Sequence, residues 1–402
     1  MVHSKRRAVA AGSAALMLAV RAAGGDGRVT VGPTGAGKSS IVNLLPRLYA
    51  RDAGSITWDG QDIERASLSS LRRQIALVPQ DAILLATTNA SASCGSDFCP
   101  IDTHWDAQGL THTEGLSLNL NYSWAKADRL RAGSHRISAD APSASGEELE
   151  NKRTINQILN ADVEYALNPR WNIAVGIPLV IRDHAHTLDA STGSPVEQQA
   201  QFSQLGDIRV VGKYKLESGN PFSGSGLRIG LKLPTGDINK TMSPNDPSDP
   251  ATPYPLERSS QPGTGSTDLI LGAYRYGGAP GSRWNWFISG EAQTPMATRD
   301  AYRPGKTLNL NLGLSHTLSN NVSALLQLNT QVRGRDTGAN ANPASGGYSV
   351  NLSPGLSVAV AAQTRVYGFL QAALRQYANT DPNGHGQLTA PWSLAMGINH
   401  HF

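Results

Sequence analysis

The sequence predicts an all-β protein: a transmembrane antiparallel β-barrel of about 12 strands, preceded by a short N-terminal α/β segment. Three observations support this prediction. Apolar and polar residues alternate along many segments after residue 114, long and short connections alternate between these segments, and the last segment ends in an aromatic residue, Phe402. Alternation with a period of two indicates a strand with one apolar face. About 9–11 residues of such a strand cross a membrane when it is tilted.

Composition narrows the class further. The chain of 402 residues carries 35 basic and 31 acidic side chains, a net charge of +4. This balance is too even and too dispersed to indicate a nucleic-acid partner. No apolar run reaches the roughly 18 residues of a spanning helix, which excludes a helical membrane protein. A barrel remains open, because only alternate residues of a barrel strand face lipid.

Residues 1–25 have the pattern of a secretory signal peptide. Lys5, Arg6 and Arg7 precede an apolar stretch over Ala8–Val20, and a basic region before 7–15 apolar residues is typical of export signals. The alternative is an Ala-rich helix of a soluble domain. Export predicts that the barrel lies in the outer membrane of a Gram-negative bacterium.

Residues 89–114 separate the N-terminal region from the barrel and contain both cysteines, Cys94 and Cys99. A close pair is compatible with a disulfide in an oxidising compartment. Half of a metal site is the alternative interpretation. We expect this segment to lie in the periplasm or to plug the barrel.

Twelve alternating segments account for the barrel region, residues 115–402. The strands are predicted at Leu116–Trp124, Leu159–Leu167, Trp171–Ile181, Ile208–Tyr214, Leu227–Leu233, Asp268–Tyr276, Trp284–Gln293, Leu308–Ser315, Val322–Leu328, Val350–Val358, Arg365–Leu374 and Leu388–Phe402. Bacterial single-chain barrels have an even number of strands, and twelve satisfies that rule.

The connections between these strands alternate in length. Tight turns such as Asn168–Arg170 alternate with long polar gaps, including residues 183–203 and, longest of all, 235–266. Outer-membrane barrels have long extracellular loops and short periplasmic turns, so both ends of the barrel are expected in the periplasm. His184 and His186 would then lie in an external loop. A His-x-His pair can bind a metal ion, but two ligands rarely suffice, and we predict no metal site.

The strand pleat also predicts which charged residues face the lumen. If Ile208 and Val210 face lipid, the residues that alternate with them face inward. The predicted lumenal residues are Asp162, Glu164, Asp207, Arg209, Lys213, Lys215, Arg228 and Lys232. Twelve strands lie between the eight that leave a filled interior and the sixteen that leave a channel, so a narrow pore and a plugged lumen both remain open.

Three segments of the barrel region carry a family resemblance. Gly206-Asp207 opens a strand, Leu231–Gly236 reads LKLPTG, and Gln261–Asp268 reads QPGTGSTD. They resemble outer-membrane proteins of the phenol meta-pathway-degradation type, and the resemblance covers about residues 90–402. It implies a pore or transporter for small, often aromatic, molecules and no catalytic residues.

Residues 32–40 match the phosphate-binding motif G-x-x-x-x-G-K-[ST]. Backbone N–H groups of such a loop surround the phosphates, its lysine meets the β- and γ-phosphates, and its serine meets Mg²⁺. With Gly54–Ile63 and Ile75–Asp81, this region resembles the nucleotide-binding domain of exporter-type ABC transporters. The candidate nucleotide-binding residues are Gly32, Gly35, Gly37, Lys38, Ser39, Ser40 and Gln80, the last as the Q-loop glutamine that the resemblance implies.

The ABC resemblance covers about residues 26–88 and then stops. We find no LSGGQ-like signature, Walker B strand or switch histidine after it, and the chemistry of ATP hydrolysis needs such parts. We therefore predict no ATPase activity and no cofactor, with ATP and Mg²⁺ relevant only if the fragment is functional.

Three hypotheses follow for the whole chain. The first is an outer-membrane pore or transporter for small molecules, with outer-membrane lipid and the barrel-assembly machinery as partners. The second is an ABC-type ATP-binding protein with a C-terminal barrel extension. The third is a non-conducting structural or ligand-binding barrel.

Overall fold

The structure is a computed structural model that describes residues 57–58, 61–62, 65, 101, 103, 115–138, 148–188, 196–216, 222–245, 251–382 and 384–402. The chain divides into two compact units, Met1–Ile83 and Leu84–Phe402. In the first unit, Thr57–Trp58 pairs antiparallel with Gln61–Asp62. The Arg65 amide donates to the carbonyl of Asp62.

The second unit is built on twelve barrel strands. They are β1 (Gly115–Ala127), β2 (Glu148–Ala166), β3 (Trp171–Leu188), β4a (Val196–Leu205) with β4b (Arg209–Leu216), β5 (Ser223–Lys232), β6 (Asp268–Gly278), β7 (Trp284–Pro295), β8 (Thr307–Thr317), β9 (Val322–Arg333), β10 (Gly347–Ala361), β11 (Thr364–Ala378) and β12 (Trp392–His401). Residues 206–208 interrupt the fourth strand and divide it into its two parts.

Antiparallel pairing closes these strands into a ring. Each strand pairs with its neighbours in sequence, and β12 pairs with β1. β3 is long enough to pair with β4b through Trp171–Gly176 and with β4a through Leu179–Leu188. A closed ring leaves no unpaired sheet edge, which is the condition for β-structure to span a membrane. Among the described residues, no helix has the length and hydropathy to cross a bilayer.

The outer face of the barrel is apolar and lies between two aromatic girdles. One girdle contains Trp124, Trp392, Tyr348 and Tyr377, and the other contains Trp171, Tyr214, Trp284 and Trp286. Between the girdles, Leu271 is 48%, Ile288 45% and Leu312 49% exposed. An outward apolar band flanked by aromatic girdles is the lipid-facing surface of outer-membrane barrels.

Short turns and long connections lie at opposite ends of the barrel. The short turns are residues 167–170, 279–283, 318–321 and 362–363, and the long connections include 296–306, 334–346 and the described parts of 233–267 and 379–391. Both ends of the barrel chain, Gly115 and His401, lie with the short turns. The alternation predicted from the sequence is therefore present in the structure.

Two predicted boundaries are wrong. β3 continues to Leu188 and β4a begins at Val196, so most of the predicted loop 183–203 is strand. This extension is polar on both faces, so apolar alternation could not reveal it. At the other end of the chain, Leu388 and Ala390 are buried rather than lipid-facing. Gln387–Thr389 pairs with Arg129–Ala132 outside the ring, and β12 begins later than predicted.

The segment that precedes β1 enters the barrel. Ile101 is 8% exposed and belongs to a buried cluster with Leu325, Tyr367, Phe369 and Ala395. The cluster lies on inward positions nearer the short-turn end. Thr103 is buried as well and hydrogen-bonds to Tyr367. These two residues, which belong to the predicted periplasmic or plug segment, therefore lie inside the barrel.

Candidate lumenal site

A basic wall on two neighbouring strands faces the lumen. β4b carries Arg209 and Lys213, and β5 carries Arg228 and Lys232, at positions that alternate with those of the outer face. The register places Arg209 opposite Lys232 and Lys213 opposite Arg228. All four residues are at most 5% exposed. The Arg228 guanidinium carbon lies 5.0 Å from the centroid of the Tyr274 ring, a cation–π distance.

Lys232 lies between two buried carboxylates. Its Nζ is 2.8 Å from Asp207 Oδ2 and 3.3 Å from Asp268 Oδ2. It also donates to the carbonyl of Ser266 at 3.1 Å. We call Asp207, Lys232 and Asp268 the ion cluster. A buried ion pair overcomes its desolvation cost only when further hydrogen bonds satisfy its remaining polar atoms.

The connection 233–267 supplies those hydrogen bonds by folding inward. Thr264 donates to Asp207 Oδ2 from its backbone N at 2.9 Å and from Oγ1 at 2.8 Å, and Gly236 N donates to Asp207 Oδ1 at 3.0 Å. A Cβ on Gly263 would lie 2.4 Å from the carbonyl oxygen of Gly236, so the two chain segments can approach this closely only with glycine. The three segments that carry the barrel family resemblance therefore meet at this cluster.

This packing corrects the expectation that the longest connection is wholly external. Residues 259–266 are all buried, whereas residues 251–253 of the same connection are exposed. Length alone predicted a solvated loop, but the polar groups of this segment pair with charges inside the barrel.

Arg209 connects the basic wall to β7. Its Nη2 donates to Glu291 Oε1 at 2.8 Å and to Gln293 Oε1 at 3.1 Å. Gln293 Nε2 in turn donates to Asp268 Oδ2 at 2.6 Å, which joins this contact to the ion cluster. Nε and Nη1 of Arg209 are buried and have no hydrogen-bond partner among the described residues.

The remaining predicted lumenal residues lie nearer the short turns. Lys213 Nζ is 2.8 Å from Glu164 Oε2. Asp162 is buried on β2 and accepts a hydrogen bond from Asn119 at 3.2 Å. Lys215 is half-buried near the end of β4b. All eight predicted residues thus lie at inward positions, while their part in transport stays a prediction.

Neutral polar side chains form a belt across six strands, from β7 to β12. Hydrogen bonds run in sequence through Ser289, Asn311, Asn329, Ser353, Gln371 and Ser393, with distances of 3.2, 2.8, 2.6, 3.2 and 3.0 Å. Each member is at most 7% exposed. Polar groups that are fully paired in this way hold the inner wall in one arrangement.

His184 and His186 lie on β3 and not in an external loop, which corrects the prediction. Each is 1% exposed. Thr154 Oγ1 lies 2.8 Å from His184 Nδ1, and Gln198 Oε1 lies 3.0 Å from His186 Nε2. Within the described part of the chain, no group of three or more side chains is arranged to bind a metal ion.

Sequence reasoning missed several charged residues of the described lumen, and three of them border the basic wall or the inward-folded connection. Asp268 and Glu291 each stand at an inward position, and the same parity argument applied to β6 and β7 would have found them. Arg182 lies just beyond the apolar run that predicted the third strand. It is 2% exposed, its Nε donates to Asn156 Oδ1 at 2.6 Å, and its Nη1 donates to the carbonyl of Ser260.

The predicted nucleotide site and the cysteine pair lie outside the described residues. These are Gly32, Gly35, Gly37, Lys38, Ser39, Ser40 and Gln80, together with Cys94 and Cys99. The signal-like residues 1–25 lie outside them too.

Sequence comparison relates the N-terminal part of the chain to ABC transporters. The profile of the ABC transporter family matches residues 21–157. An ATP-dependent lipid A-core flippase from Cupriavidus metallidurans is 46% identical over 226 residues, 50% of this chain and 36% of the flippase. The flippase from Methylococcus capsulatus is 56% identical over 61 residues, 15% of this chain and 10% of the flippase. The chain thus spans about a third or less of these relatives' length.

Structural comparison relates the barrel to a different class. An outer membrane channel from Pseudomonas putida F1 superposes with a TM-score of 0.50 and 14% identity, over 73% of this chain and 97% of the channel. The likeness is one of fold. The ABC-family match extends past residue 88 into β1 and β2, which are barrel strands here. The chain therefore combines sequence similar to an ABC transporter with the fold of an outer-membrane channel.

Proposed function

We propose that this chain is a pore of the Gram-negative outer membrane that admits small molecules and is closed in the conformation described above. One observation carries the proposal: a closed ring of twelve strands is apolar outside, between aromatic girdles, and charged inside. A soluble protein would bury side chains such as Leu312, which is 49% exposed. Apolar side chains outside and charged side chains inside are the reverse of the arrangement in a soluble protein. This arrangement is typical of a barrel that is surrounded by lipid and has a polar lumen.

We take this conformation to be closed because segments of the chain enter the lumen near both of its ends. At the short-turn end, Ile101 packs among inward side chains such as Phe369. At the long-loop end, residues 259–266 fold inward and are buried. Opening requires the release of at least one of these segments.

Single-channel recording in planar bilayers tests the proposal. We expect the purified chain to show brief, discrete openings, and Ile101→Asp to show more frequent ones, because a charge cannot stay in the apolar cluster. Burial of an isoleucine is worth about 2 kcal/mol, or roughly a 30-fold change in the ratio of open to closed time. Leu326→Ala is the control, since it removes a similar side chain from the outer face. Absence of openings in both the wild type and Ile101→Asp would contradict a pore.

A non-conducting structural barrel is the second candidate, and the belt from Ser289 to Ser393 favours it. A hydrogen-bonded wall of this kind gives the barrel rigidity whether or not solute passes. The same recordings decide between the two candidates, because a structural barrel stays silent in every variant.

We further propose that the ABC-like region does not hydrolyse ATP. The absence of recognisable downstream motifs in the sequence supports this, as does the small share of the flippases that the chain spans. Lys38→Ala should leave conductance unchanged. ATP turnover by the purified chain that disappears with Lys38→Ala would overturn this proposal, and the ABC-type hypothesis would then lead. Outer-membrane lipid and the barrel-assembly machinery are the proposed partners.

A further inference from the structure

We infer that the pore selects small organic anions, with Arg182 and Arg209 as two carboxylate-binding positions on its inner wall. The inference deepens the proposed pore function and rests on it. It names the class of cargo, which neither the fold nor the comparisons assign.

Arg182 is a buried cation that forms no ion pair with any described residue. Its guanidinium donates to two neutral acceptors, Asn156 Oδ1 and the carbonyl of Ser260, and lies 5.9 Å from the centroid of the Phe202 ring. Its Nη2 is buried and has no hydrogen-bond partner among the described residues. Burial of an unpaired charge is costly, so the site is incomplete as it stands.

A carboxylate is the group that would complete it. The planar guanidinium fork matches the geometry of a carboxylate, and such charge-assisted hydrogen bonds are stronger than neutral ones. Phe202 beside the guanidinium offers apolar surface to the organic part of such a molecule. An inorganic anion would satisfy the charge but would gain nothing from the ring.

Arg209 provides a second position on the same wall. Only its Nη2 is engaged, by Glu291 and Gln293, while Nε and Nη1 are buried without a partner among the described residues. Arg209 pairs with Gly176 of β3, and Arg182 lies six residues beyond Gly176 on that strand, about 20 Å away at roughly 3.3 Å per residue. The two guanidinium groups thus lie at different depths in the barrel, so an anion that crosses the lumen could bind to them one after the other.

The surrounding acids do not oppose an anion. Asp207 and Asp268 are tied to Lys232, and Glu291 is tied to Arg209. Strands β8 to β12 contain no aspartate or glutamate at all. The half of the wall that faces the arginines therefore presents no strand carboxylate and is rich in amides and hydroxyls. Its inward charges are Arg333, which pairs with Asp336 at 2.6 Å, and Arg365, which donates to Ser357.

A purely structural role for Arg182 is the competing explanation, because its Nη1 holds residue 260 of the inward-folded loop. The variant Arg182→Gln separates the two roles, since glutamine can still donate to a carbonyl but carries no charge. Arg182→Lys keeps the charge. Arg153→Gln is the matched control, because Arg153 is a partly exposed residue at an outward position of β2 and pairs with Asp183 at 3.1 Å.

The test is the reversal potential of single channels of the full chain across a gradient of potassium chloride. We expect the wild type, Arg182→Lys and Arg153→Gln to prefer anions, and Arg182→Gln to shift the reversal potential towards zero. Sodium benzoate, added as the probe, should reduce the chloride current of the wild type, whereas its neutral analogue benzyl alcohol should not. The benzoate arm needs no variant, so it stands even if Arg182→Gln fails to assemble.

The outcomes separate this inference from the proposed function. Channels that conduct but prefer cations, that are unaffected by benzoate, or whose selectivity is the same in Arg182→Gln would overturn the anion inference and leave the pore intact. Absence of channels in every variant, including Ile101→Asp, would overturn the pore and this inference together.

Discussion

Lys232→Met tests whether the ion cluster holds the inward-folded connection in place. Methionine keeps much of the length of the side chain but removes the ammonium, so Asp207 and Asp268 remain buried at 6% and 1% exposure without their cation. Removing one partner of a buried ion pair costs about 3–5 kcal/mol. Hydrogen bonds from Thr264 to Asp207 and from Gln293 to Asp268 remain in the variant and still stabilise the two carboxylates. We therefore expect the free energy of unfolding to fall by about 3 kcal/mol, the lower end of this range.

The assay is urea unfolding of the purified chain in lipid vesicles, followed by tryptophan fluorescence and extrapolated linearly to zero urea. Lys126→Met is the control, because its 3.0 Å ion pair with Asp128 is 43% and 36% exposed and such pairs are worth about 1 kcal/mol or less. Lys232→Met should also speed tryptic cleavage after Lys240, since the connection loses its anchor. Equal destabilisation by the two variants, with unchanged cleavage, would refute the proposed role of the cluster.

Three further predictions follow from the same structure. Leu312→Arg, on the outer face near mid-strand, should lower the free energy of unfolding by about 2–4 kcal/mol, whereas Leu318→Arg at the short-turn rim should lower it by about 0–1 kcal/mol. Urea unfolding in vesicles measures both, and similar losses would show that the outer face does not contact lipid. Epitope tags at residues 251–253 should react with antibody on intact cells and tags at 168–170 should not; the reverse would invert the topology. The Tyr302 hydroxyl donates to Asp336 at 3.0 Å, and burial raises the pKa of that hydroxyl. The hydroxyl therefore stabilises the folded state below about pH 10, and this contribution is lost as the pH rises above that value. In urea unfolding, the stability of Tyr302→Phe should fall less with alkali than that of the wild type, and an equal fall would contradict the contact.

The sequence predicted the barrel strands well where one face is apolar. Leu308, Leu310, Leu312 and Leu314 alternate with asparagines, and β8 contains all of them with the leucines outward. The pleat has a period of two, so one correct lipid-facing residue fixes the direction of every neighbour. This is why the sequence alone is enough to place the charged residues of β4b and β5 inside the barrel.

The same reasoning failed where a strand leaves the lipid. Beyond Ile181, β3 continues through Asp183 and two histidines, and a polar outer face gives no alternation to detect. It also could not show that residues 259–266 enter the lumen, because inward folding depends on partners such as Asp207 that are distant in sequence. Arg182 was missed because it lies in the part of β3 that has no apolar alternation. Its contact with residue 260 was missed because the two residues are distant in sequence.

Formation of a closed barrel in the outer membrane by residues 115–402 has a direct test. Gel migration of the full chain from a density-separated outer-membrane fraction, with and without boiling, measures this. We predict that the chain is found in that fraction, and that the unheated form migrates as a compact species that boiling converts to the mobility of an unfolded chain. Recovery in the soluble fraction, with the same mobility before and after boiling, would contradict it.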